Sequence, residues 1–327
     1  MQYPCYKITI GSITIDSIAD PTSSTVISLE IELDMNVSAD TFNIVLAQIN
    51  GLKINNGDSC KVELGYKDNL IQIIEGTVEA VESTIGLVEV KGFNAISKLL
   101  NLRINQIYES QTAGAIMADL SSQAGVSIGE KEDGITLPFY VIDATRNGYE
   151  HIQDLSIKCG FDVYLTPDSK LTFKGFQKTA GDYTVEYAKD IINLEMTNHA
   201  EERQVIVYGE SPASSQGDET SHWLVKSFED YKGTAGSEAK YEIVDPTIRT
   251  KDAAATYAKA VVEDMKKNTI NGSLTILGNA EIKLGDAVEV KGMPDTNMNG
   301  VFQVRKIQHL LSKEIGFISK IGYRGLE

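Results

Sequence analysis

The sequence predicts a mainly β fold with an α+β insertion: two similar small β-barrels flanking a compact α/β module. Three observations predict it. A run of strand and turn signals near the start returns near the end. Both outer parts of the chain alternate apolar and polar residues with period two. The middle changes to helical spacing with cap residues at its ends. From Gly278 the chain reads GNAEIKLGDAVEVKG and then NGVFQVRKIQHLLSKEIGFISKIGY, while NNGDSCKVELGYKDN near the start is followed by EGTVEAVESTIGLVEVKGF. Gly57-Asp58 matches Gly285-Asp286, Gly76 matches Gly300, and Gly86 matches Gly316.

Residues 1–100 read as the first barrel. KITIGSITIDS and VISLEIELDM alternate apolar and polar residues with period two, which gives each strand one buried and one wet face. TFNIVLAQI suits a more fully buried strand. KVELGY, IIEGTVEAVES and GLVEVKGF follow, separated by tight turns, and NAISKLL has the spacing of a short helix. Five to seven short strands joined this way describe a small barrel.

Residues 101–180 form the α/β module. Thr112 caps a helix through AGAIMADLSSQ, with Ile116, Met117 and Leu120 on one face and Gly125 just beyond its end. Asn147 and Glu150 have capping-box spacing, Ile152, Leu155 and Cys159 line the inner face of the helix they open, and Gly160 supplies the left-handed stop. FDVYLT and KLTFKG then read as strands around the turn Pro167-Asp168-Ser169.

Residues 181–327 return to strands with YTVEY, INLEMTN and RQVIVYGE, and form the second barrel. Residues 211–240, rich in Ser, Gly and Thr around the apolar island at Trp223–Val225, read as an exposed insertion. A helix over 250–267 follows, with Ala254, Tyr257, Ala258, Val261 and Met265 in one apolar stripe.

With 327 residues the chain has room for two or three cored domains, and its composition is that of an ordinary folded protein. The net charge of −16 argues against general binding to nucleic acid or anionic membrane, because phosphate affinity comes mainly from Lys and Arg. No stretch is a membrane span, and the N-terminus lacks the pattern of a signal peptide. Cys5, Cys60 and Cys159 have no C-x-x-C spacing, as expected for reduced thiols in a protein made in the cytosol.

The residues offer no active site. His151, His199, His222 and His309 lie at no helical ligand spacing from one another or from a Cys, and His309, inside a strand, reads as a partly buried, hydrogen-bonded core residue. H-E-x-x-H, G-x-S-x-G and G-x-x-x-x-G-K-[ST] are all absent. The 46 carboxylates make a close pair inevitable and so uninformative. Asp295-x-Asn297-x-Asn299-Gly300 matches the first half of a calcium loop, but its twelfth position is Lys306 where a bidentate Glu is required, so it reads as an exposed turn. The 14 tyrosines, without accompanying Arg or Lys clusters, form no base-stacking platform. No catalytic residue, cofactor site or metal site is expected.

The order of these pieces resembles the baseplate hub family of contractile tails, which includes the phage late control protein D group and the N-terminal part of the valine-glycine-repeat proteins of type VI secretion. YESQTAGAIMADLSSQAGV is similar to a family segment that ends a short helix at an alanine/glycine pair. In YVIDATRNGYEHIQDLSIKCGFDVYLTPDSKLTFKG, the residues Leu155, Gly160, Phe161, Leu171 and Phe173 hold the family's places. Toward the end, after DPTIRTKDAAATYAKAVVED, the pattern is met by Gly278, Gly285, Asp286, Gly292, Gly300, Val304, His309 and Gly316. Asp143-Ala144-Thr145-Arg146 stands where the family often has a glutamine, and the 211–240 insertion is no family feature.

The resemblance implies a structural, non-enzymatic baseplate hub of a contractile phage tail or phage-like injection system. It implies a homotrimer whose two barrels per chain make six near-equivalent positions, so that a three-fold spike meets a six-fold tail tube. The partners it implies are a separate spike protein, a hexameric tube or tube-initiator protein and baseplate wedge proteins, with no membrane and no sequence-specific nucleic acid. The spike is expected to be separate because the chain stops at Glu327, just after the second barrel. Assembly is expected in the bacterial cytoplasm, before incorporation into the virion tail or injection particle. The alternatives are a trimeric receptor-binding or adhesin protein of a phage particle and a tail-associated wall hydrolase.

Overall fold

The computed structural model describes residues 3–19, 25–47, 53–67, 69–199, 203–209, 211–212, 224–225 and 231–326. The chain opens with β1 (Pro4–Ile10), β2 (Ile13–Asp16), β3 (Val26–Asp34), β4 (Thr41–Ala47), β5 (Ser59–Tyr66), β6 (Asn69–Thr84) and β7 (Leu87–Asn94), then helix α1 (Ile96–Asn101). The middle holds β8 (Gln106–Thr112), α2 (Ala113–Ala124), β9 (Ser127–Lys131), β10 (Thr136–Ile142), α3 (Gly148–Cys159), β11 (Asp162–Leu165) and β12 (Lys170–Lys174). Next come β13 (Tyr183–Glu186), β14 (Ile191–Asn198), β15 (Arg203–Gly209), β16 (Ser211–Pro212), β17 (Leu224–Val225), β18 (Lys232–Ala235) and β19 (Ala239–Asp245). The last part is α4 (Lys251–Asn268), β20 (Ile270–Leu277), β21 (Ala287–Lys291), β22 (Gly300–Ser312) and β23 (Gly316–Arg324).

The fold is mainly β with an α+β insertion, as the sequence predicts. Alternation does the work in the outer parts. In β1 the side chains of Tyr6, Ile8 and Ile10 are buried while their neighbours stay half-exposed. TFNIVLA alternates as well: Phe42, Ile44 and Leu46 are buried and Thr41, Asn43 and Val45 half-exposed. This strand is therefore not the fully buried one its apolar run suggests. It lies in an antiparallel sheet covered on one face, which needs only every second side chain inside.

The helices begin and end where their caps lie. Thr112 accepts from the Ala115 amide and Gly125 turns left-handed after α2, at φ 67°. Asn147 and Glu150 complete a reciprocal capping box on α3, and Gly160 ends it at φ 70°. Thr250 accepts from Ala253 to start α4. The sequence reading does not place β8, β9 or β10: QIYESQT and SIGEK are mostly polar and exposed, and the apolar TLPFYVI of β10 pairs with β8.

Thirteen strands form one curled sheet in the order β14-β20-β23-β22-β3-β4-β7-β6-β5-β1-β2, with β21 on the near half of β22 and β13 beside β21. The two similar β units are therefore joined edge to edge through β22 and β3. One core runs through both units, from Ile8, Ile31 and Phe42 to Val288, Ile307 and Ile321.

A second core gathers α2, α3, β10 and β12 with Val205, Val207, Ile248, Ala253, Ala254 and Ala258. The helix expected over 250–267 thus packs with the α/β module rather than with the strands that follow it. Of the expected insertion, residues 213–223 and 226–230 lie outside the described residues. Lys232–Ala235 pairs with β15, which also pairs in parallel with β19.

Between β3 and β4, Asp40 is buried. Its Oδ1 accepts from the Asp34 amide at 2.9 Å, and its Oδ2 accepts from the Asn94 side chain. Burial pushes its carboxyl up to about 7, with Asp34 and Glu32 adding to the rise. Its folded pKa lies above its unfolded one, so the native state holds the proton longer, and this stabilisation is lost as pH rises from about 4 to about 7. We expect Asp40→Asn, which mimics the protonated acid, to gain stability relative to wild type across that window. Urea unfolding of both proteins at several pH values checks this, and a difference that stays flat or runs the other way refutes it.

Candidate assembly interface

Among the described residues the histidines and cysteines do not come together. His309 is fully buried, with Nδ1 2.9 Å from the Ser319 hydroxyl and Nε2 unpartnered, and burial lowers its pKa to about 4. This is deeper than the partly buried place expected for it. His151 packs on Tyr140 in α3 and is also lowered by burial, His199 is exposed after β14, and His222 lies outside the described residues. Burial raises the thiols of Cys60 and Cys159 to about 12 and 11, far from a reactive thiolate.

The 295–300 loop is a turn. Asp295 accepts from the Asn297 amide, a 3₁₀ turn covers Thr296–Met298, and the Asn299 side chain accepts from the Met293 amide. Among the described residues no group of three or more His, Cys, Asp or Glu is placed to hold a metal.

Among the clefts formed by the described residues, two have volumes of about 540 and 450 Å³. The smaller lies between α3, α4 and the sheet; of its ionised groups, Asp162, Asp264, Arg305 and Arg324 pair with one another, while Glu263 and Lys267 also line it. The larger, beside Tyr66, Asn69, Asp190 and Asn279, is also lined by Lys189 and by Thr184, whose hydroxyl donates to Glu289 at 3.0 Å.

The duplicated geometry lies in the sheet. The first unit runs β3-β4-β7-β6-β5-β1, and the second runs β14-β20-β23-β22-β21-β13. The Gly57 amide donates to Val78 and Val78 donates back to Asp58, at 2.8 and 2.9 Å. Gly285 and Asp286 make the same pair with Val304, at 3.1 and 2.8 Å. Each aspartate also accepts, at 2.8 Å, from the amide three residues before it: Asn55 for Asp58 and Lys283 for Asp286. The bulges coincide too, between Val78 and Ala80 as between Val304 and Lys306, and between Val26 and Ser28 as between Ile191 and Asn193. Gly86 and Gly316 both sit at positive φ in the hairpin turns.

One expected match shifts. Gly76 lies opposite Cys60, the place Phe302 holds opposite Val288, so Gly76 and Gly300 are not equivalent. The units also differ in that β1 runs antiparallel to β5 whereas β13 runs parallel to β21.

The joint between the units is a seven-pair ladder from Lys306 opposite Asp34 to Ser312 opposite Ser28. On its polar face Lys306 meets Glu32 and Asp34, and the Gln308 amide donates to Glu30 at 2.5 Å. On its inner face Ile307, Leu29 and Ile31 are almost wholly buried. The edge of β14 away from β20, and the edge of β6 away from β7 beyond Val78, carry no partner strand among the described residues.

No described helix is long and apolar enough to cross a membrane. No protein-family profile matches the chain, and no curated protein sequence matches it. Its fold is that of tail proteins. A 43 kDa tail protein of prophage MuSo2 from Shewanella oneidensis superposes with a TM-score of 0.75 at 12% identity, over 99% of this chain and 98% of that one. A tail protein from Neisseria meningitidis gives 0.75 at 14%, over 98% and 96%. A component of the Escherichia coli type VI secretion system, described as structurally similar to the T4 bacteriophage tail proteins gp27 and gp5, gives 0.61 at 9%, over 97% and 76%.

Proposed function

We propose that this chain is the structural hub of a contractile phage tail or phage-like injection system. In this reading it forms a homotrimer that adapts a three-fold spike to a six-fold tail tube, works without catalysis, and sits among baseplate wedge proteins. The observation that carries the reading is the strand unit made twice in one chain and already joined edge to edge through β22 and β3. A chain holding two copies of one unit presents two near-equivalent faces, so three chains present six. Closed symmetric assembly then matches three-fold and six-fold partners with one kind of contact. The tail-protein fold supports the same reading.

The test is the mass and shape of the purified protein. A particle of three times the chain's 35.7 kDa, seen in electron micrographs as a three-fold ring of pseudo-six-fold outline, is expected. A two-fold dimer, or a monomer at every concentration tried, overturns the proposal.

A further inference from the structure

We propose that a second copy of this chain pairs along the outer edge of β14 with the distal half of its β6, in the register that β3 and β22 use within one chain. The choice of a second copy as partner rests on the ring reading above. The pairing itself is argued from the joint the chain already contains.

The shared bulges fix the equivalence. Ser28, Leu29, Glu30, Ile31 and Glu32 of β3 correspond to Asn193, Leu194, Glu195, Met196 and Thr197 of β14. Lys306, Ile307, Gln308, His309 and Leu310 of β22 correspond to Ala80, Val81, Glu82, Ser83 and Thr84 of β6. Carrying the in-chain ladder across sets Val81 opposite Asn198, Glu82 opposite Thr197, Ser83 opposite Met196 and Thr84 opposite Glu195.

Burial differs between the two sites in the way a missing strand requires. Leu29 and Ile31 are 1% and 0% exposed, while Leu194 and Met196, at the same places in the second unit, are only half-buried. Ile307 is 0% exposed and Val81 is half-buried. The same count carries Ile85, fully exposed at its hairpin tip, toward Leu194, as Leu311 lies against Leu29. An eight-residue edge strand without Lys or Pro is an open template for another strand, and β14 has neither.

The joint between copies is also chemically weaker than the one within the chain. Ala80 replaces Lys306, and His199 follows β14 where Asp34 ends β3, so the ion pairs at Lys306 have no counterpart. Where Gln308 donates to Glu30, the second joint sets Glu82 beside Glu195, two carboxylates of which Glu82 pairs with Lys91 and Glu195 accepts from the neutral Asn193 and Ser273 side chains. This contact opens first on dilution.

The test is a pair of cysteines, Glu82→Cys with Thr197→Cys, in the full chain. Residues directly opposite in an antiparallel ladder lie about 4.5–5.5 Å apart at Cα, within disulfide reach. Mild oxidation is expected to give covalent dimers and trimers on a non-reducing gel. Wild type, each single variant and the offset pair Glu82→Cys with Asn198→Cys are expected to give none. Cross-linking at the offset pair overturns the register. A trimer by mass that never cross-links overturns the β14–β6 joint but leaves the hub reading standing. Cross-links in a particle of another stoichiometry support the joint and overturn the three-chain ring. The Glu82→Gln variant, which copies Gln308, is expected to lower the concentration for half-association roughly fivefold. Unchanged or weaker association counts against the proposed pairing of Glu82 with β14.

Discussion

Asp162→Ala is expected to destabilise the fold by about 3–5 kcal/mol, the usual cost of removing one partner from a buried ion pair. Asp162 opens β11, and its carboxylate sits almost fully buried beneath the sheet. It accepts from Gln303 at 2.6 Å, pairs with Arg305, and lies 3.4 Å from Arg324. Gln303 in turn accepts from Arg324 at 2.7 Å, Arg324 reaches Asp264 of α4 at 2.6 Å, and Arg305 donates to Asn36 at 3.1 Å. One carboxylate therefore ties β11, β22, β23, α4 and the β3–β4 loop together. Its removal leaves the guanidinium groups of Arg305 and Arg324 facing each other without the carboxylate that both touch. Asp162→Asn keeps one acceptor and is expected to cost less than Asp162→Ala. Chemical denaturation of the three proteins decides the matter: a loss below about 1 kcal/mol for the alanine variant means the cluster does not hold the module to the sheet.

Gly92→Ala is expected to cost about 3 kcal/mol, at the upper end of what overpacking does to a filled core. A Cβ built on Gly92 lies 2.2 Å from the ring of Phe42 and 2.2 Å from the Thr77 carbonyl oxygen. Phe42 is buried to 1% exposure and cannot swing aside, and the carbonyl belongs to the β6–β7 ladder. The second unit solves the same contact in reverse. Gly272 lies opposite Tyr323 as Phe42 lies opposite Gly92, with the aromatic ring on the other strand. Gly92→Ala combined with Phe42→Leu is expected to cost less than the sum of the two single changes, because the smaller side chain relieves half of the clash. Strict additivity in unfolding free energies contradicts that contact.

The Phe42–Gly92 and Gly272–Tyr323 pairs also explain why the duplication is only faintly legible in sequence. A contact between strands can be conserved while its two residues trade places, which erases the match at both positions. The Gly-Asp turns stay legible because each is local. A left-handed glycine and an aspartate capping the amide three residues back need no distant partner. The Gly76–Gly300 match failed for the opposite reason. Gly300 opens β22 after a turn whereas Gly76 lies in the middle of β6, and the ladder opposite Cys60 and Val288 sets their true places two residues apart.

The candidate interface was out of reach of sequence reading altogether. β3 and β14 read VISLEIELD and IINLEMTN and carry the same alternation and the same bulge. Nothing in either string says that one edge is covered by β22 and the other is bare.

By itself the sequence determined the mainly β class, the two runs of alternating strands, two helices by their caps and a third by its apolar stripe, and the paired Gly-Asp turns. Each depends on backbone preferences and side-chain periods spanning only a few residues. Only the tertiary structure decided that the two units share one sheet and one core, that α4 and β15 pack with the α/β module, and which strand edges are left open. Those outcomes depend on which of many similar edges meet. Strand edges present the same backbone donors and acceptors whatever their neighbours, so the partner is chosen by the packing of side chains hundreds of residues apart.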